Sequence, residues 1–146
     1  MISVIIPTYN EEQALPATLR SLLAQPGAYE VIVVDGGSTD RTCEIVRAES
    51  NVRLLTAPKG RASQMNAGAK EAGGDLLLFL HADTVLPEGA LARLNLLEAD
   101  SSVQAGGFLH RFSGHDWRLR LVSFLDNFRC RHSRIIYGDP ALFVRK

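Results

Sequence analysis

The sequence predicts an α/β domain of three layers, with a mostly parallel central sheet between helices. Three observations carry that prediction. Short β-branched or leucine-rich runs recur at residues 2–6, 30–34, 52–56 and 76–80. Stretches with apolar residues at helical spacing separate them, and strands that alternate with helices build parallel sheets through right-handed crossovers. The second and fourth runs are apolar throughout, as expected of strands covered on both faces.

Each element follows from local signals. The first strand stops at Pro7-Thr8-Tyr9-Asn10. Pro16 disfavours helical geometry at Leu15 and suits a first helical position, so helix one is expected over 16–24. It carries Leu15, Leu19, Leu22 and Leu23 on one face and ends at Pro26-Gly27. Ser38 or Thr39 is suited to cap a second helix, over 40–49, that buries Ile45 and Val46. A third helix is expected over 62–72, stopped by Gly73-Gly74. Pro87 opens a fourth, with Leu91, Leu94 and Leu97. After Gly106-Gly107 come a strand over 108–112, an amphipathic stretch, and a final apolar run within 141–146. No repeat, low-complexity tract or linker interrupts the pattern, so one domain is expected over 1–146. Its first part, 1–100, holds the strand-end motifs and 101–146 begins a second part. The finish directly after an apolar run predicts a domain incomplete at its C-terminus.

With 146 residues, 46% hydrophobic and 22% charged, the chain has a globular balance. Sixteen basic residues offset sixteen acidic ones, so net charge advertises neither a nucleic acid nor a membrane. Cys43 and Cys130 lack metal-ligand spacing and read as reduced thiols. No signal-peptide pattern opens the chain, and the longest apolar run, 76–80, is far short of the ~20 residues of a membrane span. A cytoplasmic protein is expected.

Four polar sites directly follow strands, at 8–12, 35–40, 59–61 and 81–83. Parallel strands bring such ends to one carboxyl edge, which here would gather Glu11, Asp35 and Asp83 with Lys59 and Arg61. Crowded carboxylates repel unless a cation or hydrogen-bond donors offset them, and a divalent metal holding a diphosphate meets that need. Asp83 follows a buried strand and is the candidate metal ligand; capping the turn into Pro87 is the alternative. Asp35 is suited either to accept hydrogen bonds from a nucleobase or to shape the turn before Gly36-Gly37. Lys59 and Arg61 are suited to a diphosphate, or form a solvated loop. There is no G-x-G-x-x-G after the first strand, no P-loop and no G-x-S-x-G elbow, and the four histidines lack zinc-ligand spacing.

Taken together, Ile6-Pro7-Thr8-Tyr9-Asn10-Glu11, Val34-Asp35-Gly36-Gly37-Ser38-Thr39-Asp40, Asn66-Ala67-Gly68 and Leu80-His81-Ala82-Asp83 resemble the family 2 glycosyltransferases. Their fold is GT-A, a Rossmann-like nucleotide-diphospho-sugar transferase sandwich. Order and spacing agree over residues 2–90. Gly106-Gly107-Phe108 and Tyr137-Gly138-Asp139-Pro140 are similar to a bacterial subgroup whose acceptor is unknown. The resemblance implies a nucleoside-diphosphate-sugar donor, Mn²⁺ or Mg²⁺, and inversion at the anomeric carbon. It implies that Pro7, Thr8, Tyr9, Glu11 and Gly37 line the donor pocket, that Asp35 holds the base, that Arg61 lies near the diphosphate and that Asp83 contacts the metal. His81 stands where the first Asp of the family's Asp-x-Asp motif is usual, which implies either a weaker hold on the metal or a different role for His81, such as a hydrogen bond to the donor ribose or sugar. The family's general base typically sits in a Glu-Asp pair, which this chain lacks, leaving Asp139 as the nearest downstream carboxylate.

The acceptor is left open between a lipid-linked group and a small molecule. Two rival readings stand beside the transferase: a non-catalytic nucleotide-sugar-binding module and a nucleotidyltransferase. The second would carry a Gly-rich basic loop after the first strand, where this chain is acidic. Finally, residues 111–134 hold six arginines against Asp116 and Asp126, interleaved with Trp117, Leu119, Leu121, Val122, Phe124, Leu125 and Phe128. Such a stretch either lies on an anionic membrane, at its inner face, or packs its apolar side on protein.

Overall fold

The computed structural model describes residues 1–98, 100, 102–109, 112, 116–133 and 141–146. Their elements run β1 (Ile2–Thr8), α1 (Leu15–Leu23), β2 (Tyr29–Asp35), α2 (Thr42–Arg47), β3 (Val52–Thr56), α3 (Arg61–Glu71) and β4 (Leu76–Leu80). Then follow α4 (Ala90–Glu98), β5 (Ala105–Gly107), α5 (Trp117–Ser133) and β6 (Ala141–Arg145). The sheet order is β3-β2-β1-β4-β6-β5. β1 to β4 are parallel, while β6 runs antiparallel between β4 and β5.

Alternation along the strands sorts the core into two layers. Ile2, Val4, Ile6, Val31, Val33, Leu76, Leu78 and Leu80 face α1, α2 and α4. Ile5, Ile32, Val34 and Leu77 face α3. Close approach of α3 depends on Gly68, where an added Cβ would come within 2.5 Å of Ile5 Cγ2. Register levels the strand ends: Thr8, Asp35 and Thr56 are aligned across β1, β2 and β3. The winding reverses at β1, so the crevice at the switch point lies beyond the carboxyl ends of β1 and β4.

Several boundaries differ from expectation for physical reasons. β1 runs on through Pro7 to Thr8. The β1–β4 pairing ends at Ile5–Phe79, so on that side the missing proline N–H costs no ladder bond. α1 starts at Leu15, whose amide reaches back to the Glu11 carbonyl at 2.9 Å. Pro87 begins a turn, with Gly89 at φ +74°, and α4 itself starts at Ala90. The strand expected over 108–112 is instead β5, Ala105–Gly107. Gly106 is needed there because a Cβ would meet the Phe143 ring at 2.4 Å, so the glycine pair itself lies in the pairing segment. No helix among the described residues is long and apolar enough to cross a membrane.

Candidate active site

At the ends of β1 and β2, two loops are knitted into one unit. Asp35 is 2% exposed, and its Oδ2 accepts the amides of Gly37 and Ser38, both at 2.9 Å. Its Oδ1 accepts the Ser38 hydroxyl and, at 3.5 Å, that of Thr8. Burial pushes this carboxyl up, but the Ser38 and Gly37 donors and the Cys43 thiol hold it below the usual carboxylate range. Gly37, at φ +91°, supplies the left-handed turn that wraps the loop over the carboxylate. Asp35 therefore organises its own loop, and its oxygens are largely engaged.

Ser38 and Thr39 do not cap α2. The Thr42 amide at its start bonds Asp40 Oδ1 at 3.0 Å. The two residues instead clamp the neighbouring loop: the Asn10 amide donates to Ser38 Oγ at 2.9 Å, and the Thr39 amide to Asn10 Oδ1 at 2.8 Å. Asn10 takes φ +56°, which its short polar side chain tolerates. The amides of Glu11 and Glu12 donate to Thr42 Oγ1 (2.8 Å) and Asp40 Oδ2 (3.1 Å). Three successive amides after β1 are thus satisfied by side chains of the second loop.

Gln64, not singled out in the sequence, ties the third loop to this unit. It is 3% exposed, and its Nε2 donates to the carbonyls of Thr8 and Val34, both at 2.7 Å, while its Oε1 accepts the Gly60 amide at 3.3 Å. Gly36 packs on it, since a Cβ there would lie 3.1 Å from the amide. The loop so anchored lays Lys59 Nζ over the exposed Tyr9 ring, 3.5 Å from its centroid. Arg61, exposed, is the first residue of α3.

Across the switch point, the 81–87 segment is pinned by a polar row on α1 and the turn that follows it. Buried Thr18 donates to the Ala82 carbonyl at 2.7 Å, Ser21 accepts the Leu86 amide at 3.2 Å, and Gln25 donates to the Pro87 carbonyl at 2.9 Å. Spacings of three and four residues put these side chains on one helix face, a signal the apolar periodicity hid. His81 is half-buried in the turn closed by the Thr84 amide, and Asp83 projects into solvent. The Glu11 carboxyl is raised, first by burial and then by the charges of Asp83 and Asp40.

The structure therefore brings Thr8, Tyr9, Glu11, Asp35, Gly37 and the Lys59–Arg61 loop to one edge, with His81 and Asp83 beyond the end of the adjacent strand β4. Pro7 lies half-buried beneath them in β1. Asp139 lies outside the described residues. Among those described, no third His, Cys, Asp or Glu joins Glu11 and Asp83 in a complete metal cage. Carboxylate oxygens are the ligand type that Mg²⁺ or Mn²⁺ takes when it shares a diphosphate, and the repulsion that raises the Glu11 carboxyl is of the kind a bound cation would relieve. A groove of about 880 Å³ follows the outer strand β3 along Leu54, Leu55, Asn66 and Lys70 and reaches its carboxyl end at Thr56, Ala57 and Pro58, just before the Lys59–Arg61 loop.

Known proteins share the fold and the family of this chain. The model of the family described as glycosyl transferase family 2 matches residues 3–141. An undecaprenyl-phosphate 4-deoxy-4-formamido-L-arabinose transferase from Proteus mirabilis is 31% identical over 86% of this chain and 42% of its own length. One of the same name from Edwardsiella ictaluri is 32% identical over 94% of this chain and 42% of its own. The chain thus spans well under half the length of these relatives. Among solved structures, the mannosyltransferase PcManGT from Pyrobaculum calidifontis, in complex with GDP-Man and Mn²⁺, superposes with a TM-score of 0.75 at 26% identity, covering 98% of this chain and 44% of that one. S. aureus TarS 1-349 in complex with UDP-GlcNAc gives 0.65 at 26% identity, covering 78% and 37%. The mostly parallel α/β sheet is that of the GT-A glycosyltransferases, and the chain belongs to glycosyl transferase family 2.

Proposed function

We propose that this chain is the donor-binding half of an inverting glycosyltransferase that moves a sugar from a nucleoside diphosphate to a lipid-phosphate acceptor, with a divalent metal. The observation that carries the reading is the acidic pair at the switch point. Glu11 is held above the usual glutamate range by burial and by Asp83 and Asp40. A carboxylate without a neutralising partner, at the same sheet edge as the loop bearing Lys59 and Arg61, supports a site for a metal–diphosphate, which brings positive and negative charge to one place.

Each residue then has a task. Tyr9, under Lys59, offers an aromatic surface to the nucleoside, and the Asp35 loop sets the rim of that pocket. Asp83 and Glu11 would hold the metal, which when bound neutralises charge on the leaving diphosphate. Arg61 offers two parallel donors to the same phosphates. His81 lies within the turn that carries Asp83 and is suited to hold the donor ribose or sugar.

The acceptor named in the relatives bears on the missing base. A phosphate monoester has its second pKa at about 6, so its oxygen is largely anionic at neutral pH. Such an oxygen attacks the anomeric carbon directly, while the carbon–oxygen bond to the diphosphate breaks and its electron pair leaves with the nucleotide. No proton has to be removed, and Asp139 is then not required as a base. With a hydroxyl acceptor, Asp139 remains the candidate.

A thermal-shift screen of UDP-, GDP- and dTDP-sugars with and without Mn²⁺ tests the reading. A donor at about 100 times its dissociation constant adds ~2.7 kcal/mol of stability. Stabilisation by one donor only when Mn²⁺ is present is expected. Indifference to every donor, with and without metal, would remove the proposal.

A further inference from the structure

We infer that α5 is a membrane-docking helix that presents an apolar stripe, edged by arginines, to an anionic lipid surface. At ~100° per residue, Trp117, Leu121, Phe124, Leu125 and Phe128 share one arc of the helix, and Ser123 lies nearly opposite. Trp117 is 66% exposed, Phe124 63% and Phe128 50%; Leu119 and Val122, off the stripe, are exposed to a lesser degree (36% and 44%), while Ser123 is 6% exposed and accepts the Phe112 amide at 3.1 Å. The helix therefore meets the protein at Ser123 and leaves its aromatic side the most open. Contiguous apolar surface of this kind marks a docking site rather than an ordinary solvated face.

The chemistry of the edges selects the partner. Arg118 and Arg120 fall on opposite flanks of the stripe, where long cationic side chains reach lipid phosphates while the aromatic rings enter the acyl boundary. Arg118 also lies against the Trp117 ring, 5.8 Å from its centroid. Asp116, just before the helix, is tied to the Arg118 amide at 2.9 Å. The choice of a lipid surface rests further on the proposed lipid-phosphate acceptor, whose phosphate lies at such a surface.

Trp117 is the only tryptophan in the chain and reports directly on the stripe. Its fluorescence and flotation of the chain are measured with vesicles of phosphatidylglycerol and phosphatidylcholine, and with phosphatidylcholine alone. A blue shift and co-flotation on the anionic vesicles, reduced by salt, are expected. Arg118→Gln and Arg120→Gln should each weaken partitioning about fivefold. Phe124→Ser with Phe128→Ser should abolish it while leaving the melting temperature near that of the parent, because both side chains are exposed. No binding to anionic vesicles, or equal binding to neutral ones, overturns the inference. So does a blue shift without vesicles that grows with protein concentration alongside a dimer mass, since the stripe then buries itself in a second copy. The thermal-shift screen on the same preparation keeps the two proposals apart: donor binding without vesicle binding sinks only this one, and the reverse sinks only the donor reading.

Discussion

Two glutamates at opposite ends of the sheet show how the same side chain serves structure in one place and function in another. Glu30, at the start of β2, is surrounded by donors: Ser3 Oγ and the Gly73 amide both bond Oε1 at 2.6 Å, and Arg53 approaches Oε2 at 3.4 Å. Burial alone would push its carboxyl up, but these contacts hold it below the usual range. Glu11, beyond the end of β1, has no such neutralisation among the described residues, and burial together with Asp83 and Asp40 pushes its carboxyl up. A fold keeps a partly buried carboxylate in a repulsive field only at some cost, and such sites concentrate where ligands bind. Glu30, at the N-terminal edge of the sheet, is neutralised within the protein; Glu11, at the carboxyl edge, is not neutralised by the described residues.

The sharpest way to break this contrast is to remove Asp83. Asp83→Ala should eliminate Mn²⁺-dependent donor binding in a calorimetric titration, a loss beyond the roughly 10–100-fold typical of outer-shell changes at metal sites. Stability should hardly change, because Asp83 is exposed. Unaltered donor affinity would put the metal elsewhere.

Glu30→Ala should behave in the opposite way. It leaves the Ser3 hydroxyl and the Gly73 amide without their acceptor, costing about 1–3 kcal/mol in denaturant unfolding, with donor affinity unchanged. Gln64→Leu falls between the two. Loss of its bonds to Thr8, Val34 and Gly60 should cost about 1–2 kcal/mol and also weaken donor binding several-fold, because the Lys59–Arg61 loop loses its anchor to the strand ends. A lowered melting temperature with wild-type donor affinity would make Gln64 scaffolding only.

The sheet, its element order and the convergence of the strand-end motifs were legible because each rests on local signals: β-branched runs, helical spacing, glycine stops. What stayed hidden was tertiary. Nothing local says that Ser38 spends its hydroxyl on Asp35 and Asn10 rather than on a helix cap, or that Gln64 reaches two strand-end carbonyls. Thr18, Ser21 and Gln25 do form a readable polar row on α1 and the turn that follows it, but what they hold, the 81–87 segment, is more than sixty residues away. β5 was misread because Gly106 answers to the Phe143 ring, a partner set by strand pairing. Asp35 shows the same limit: the motif marked it, while only the structure revealed how fully its own loop engages it.

The smallest expected effect is also the most direct measure of the contrast. A glutamate whose folded pKa is raised destabilises the fold as pH climbs from the ordinary glutamate value through the raised one, because the unfolded chain gives up its proton first. Glu30, held low, acts with the reverse sign: its stabilisation is present above the ordinary value and is lost as pH falls through its depressed one. Glu11→Gln should therefore stabilise the ligand-free protein at neutral pH, by less than about 1 kcal/mol for a partly exposed charge, and the gain should vanish in acid. The same change should weaken Mn²⁺-dependent donor binding, exchanging function for stability. Melting curves across the acid-to-neutral range, with and without donor and Mn²⁺, measure both halves at once. A destabilised Glu11→Gln variant at neutral pH would mean that Glu11 is neutralised after all, and the distinction between the two ends of the sheet would fall.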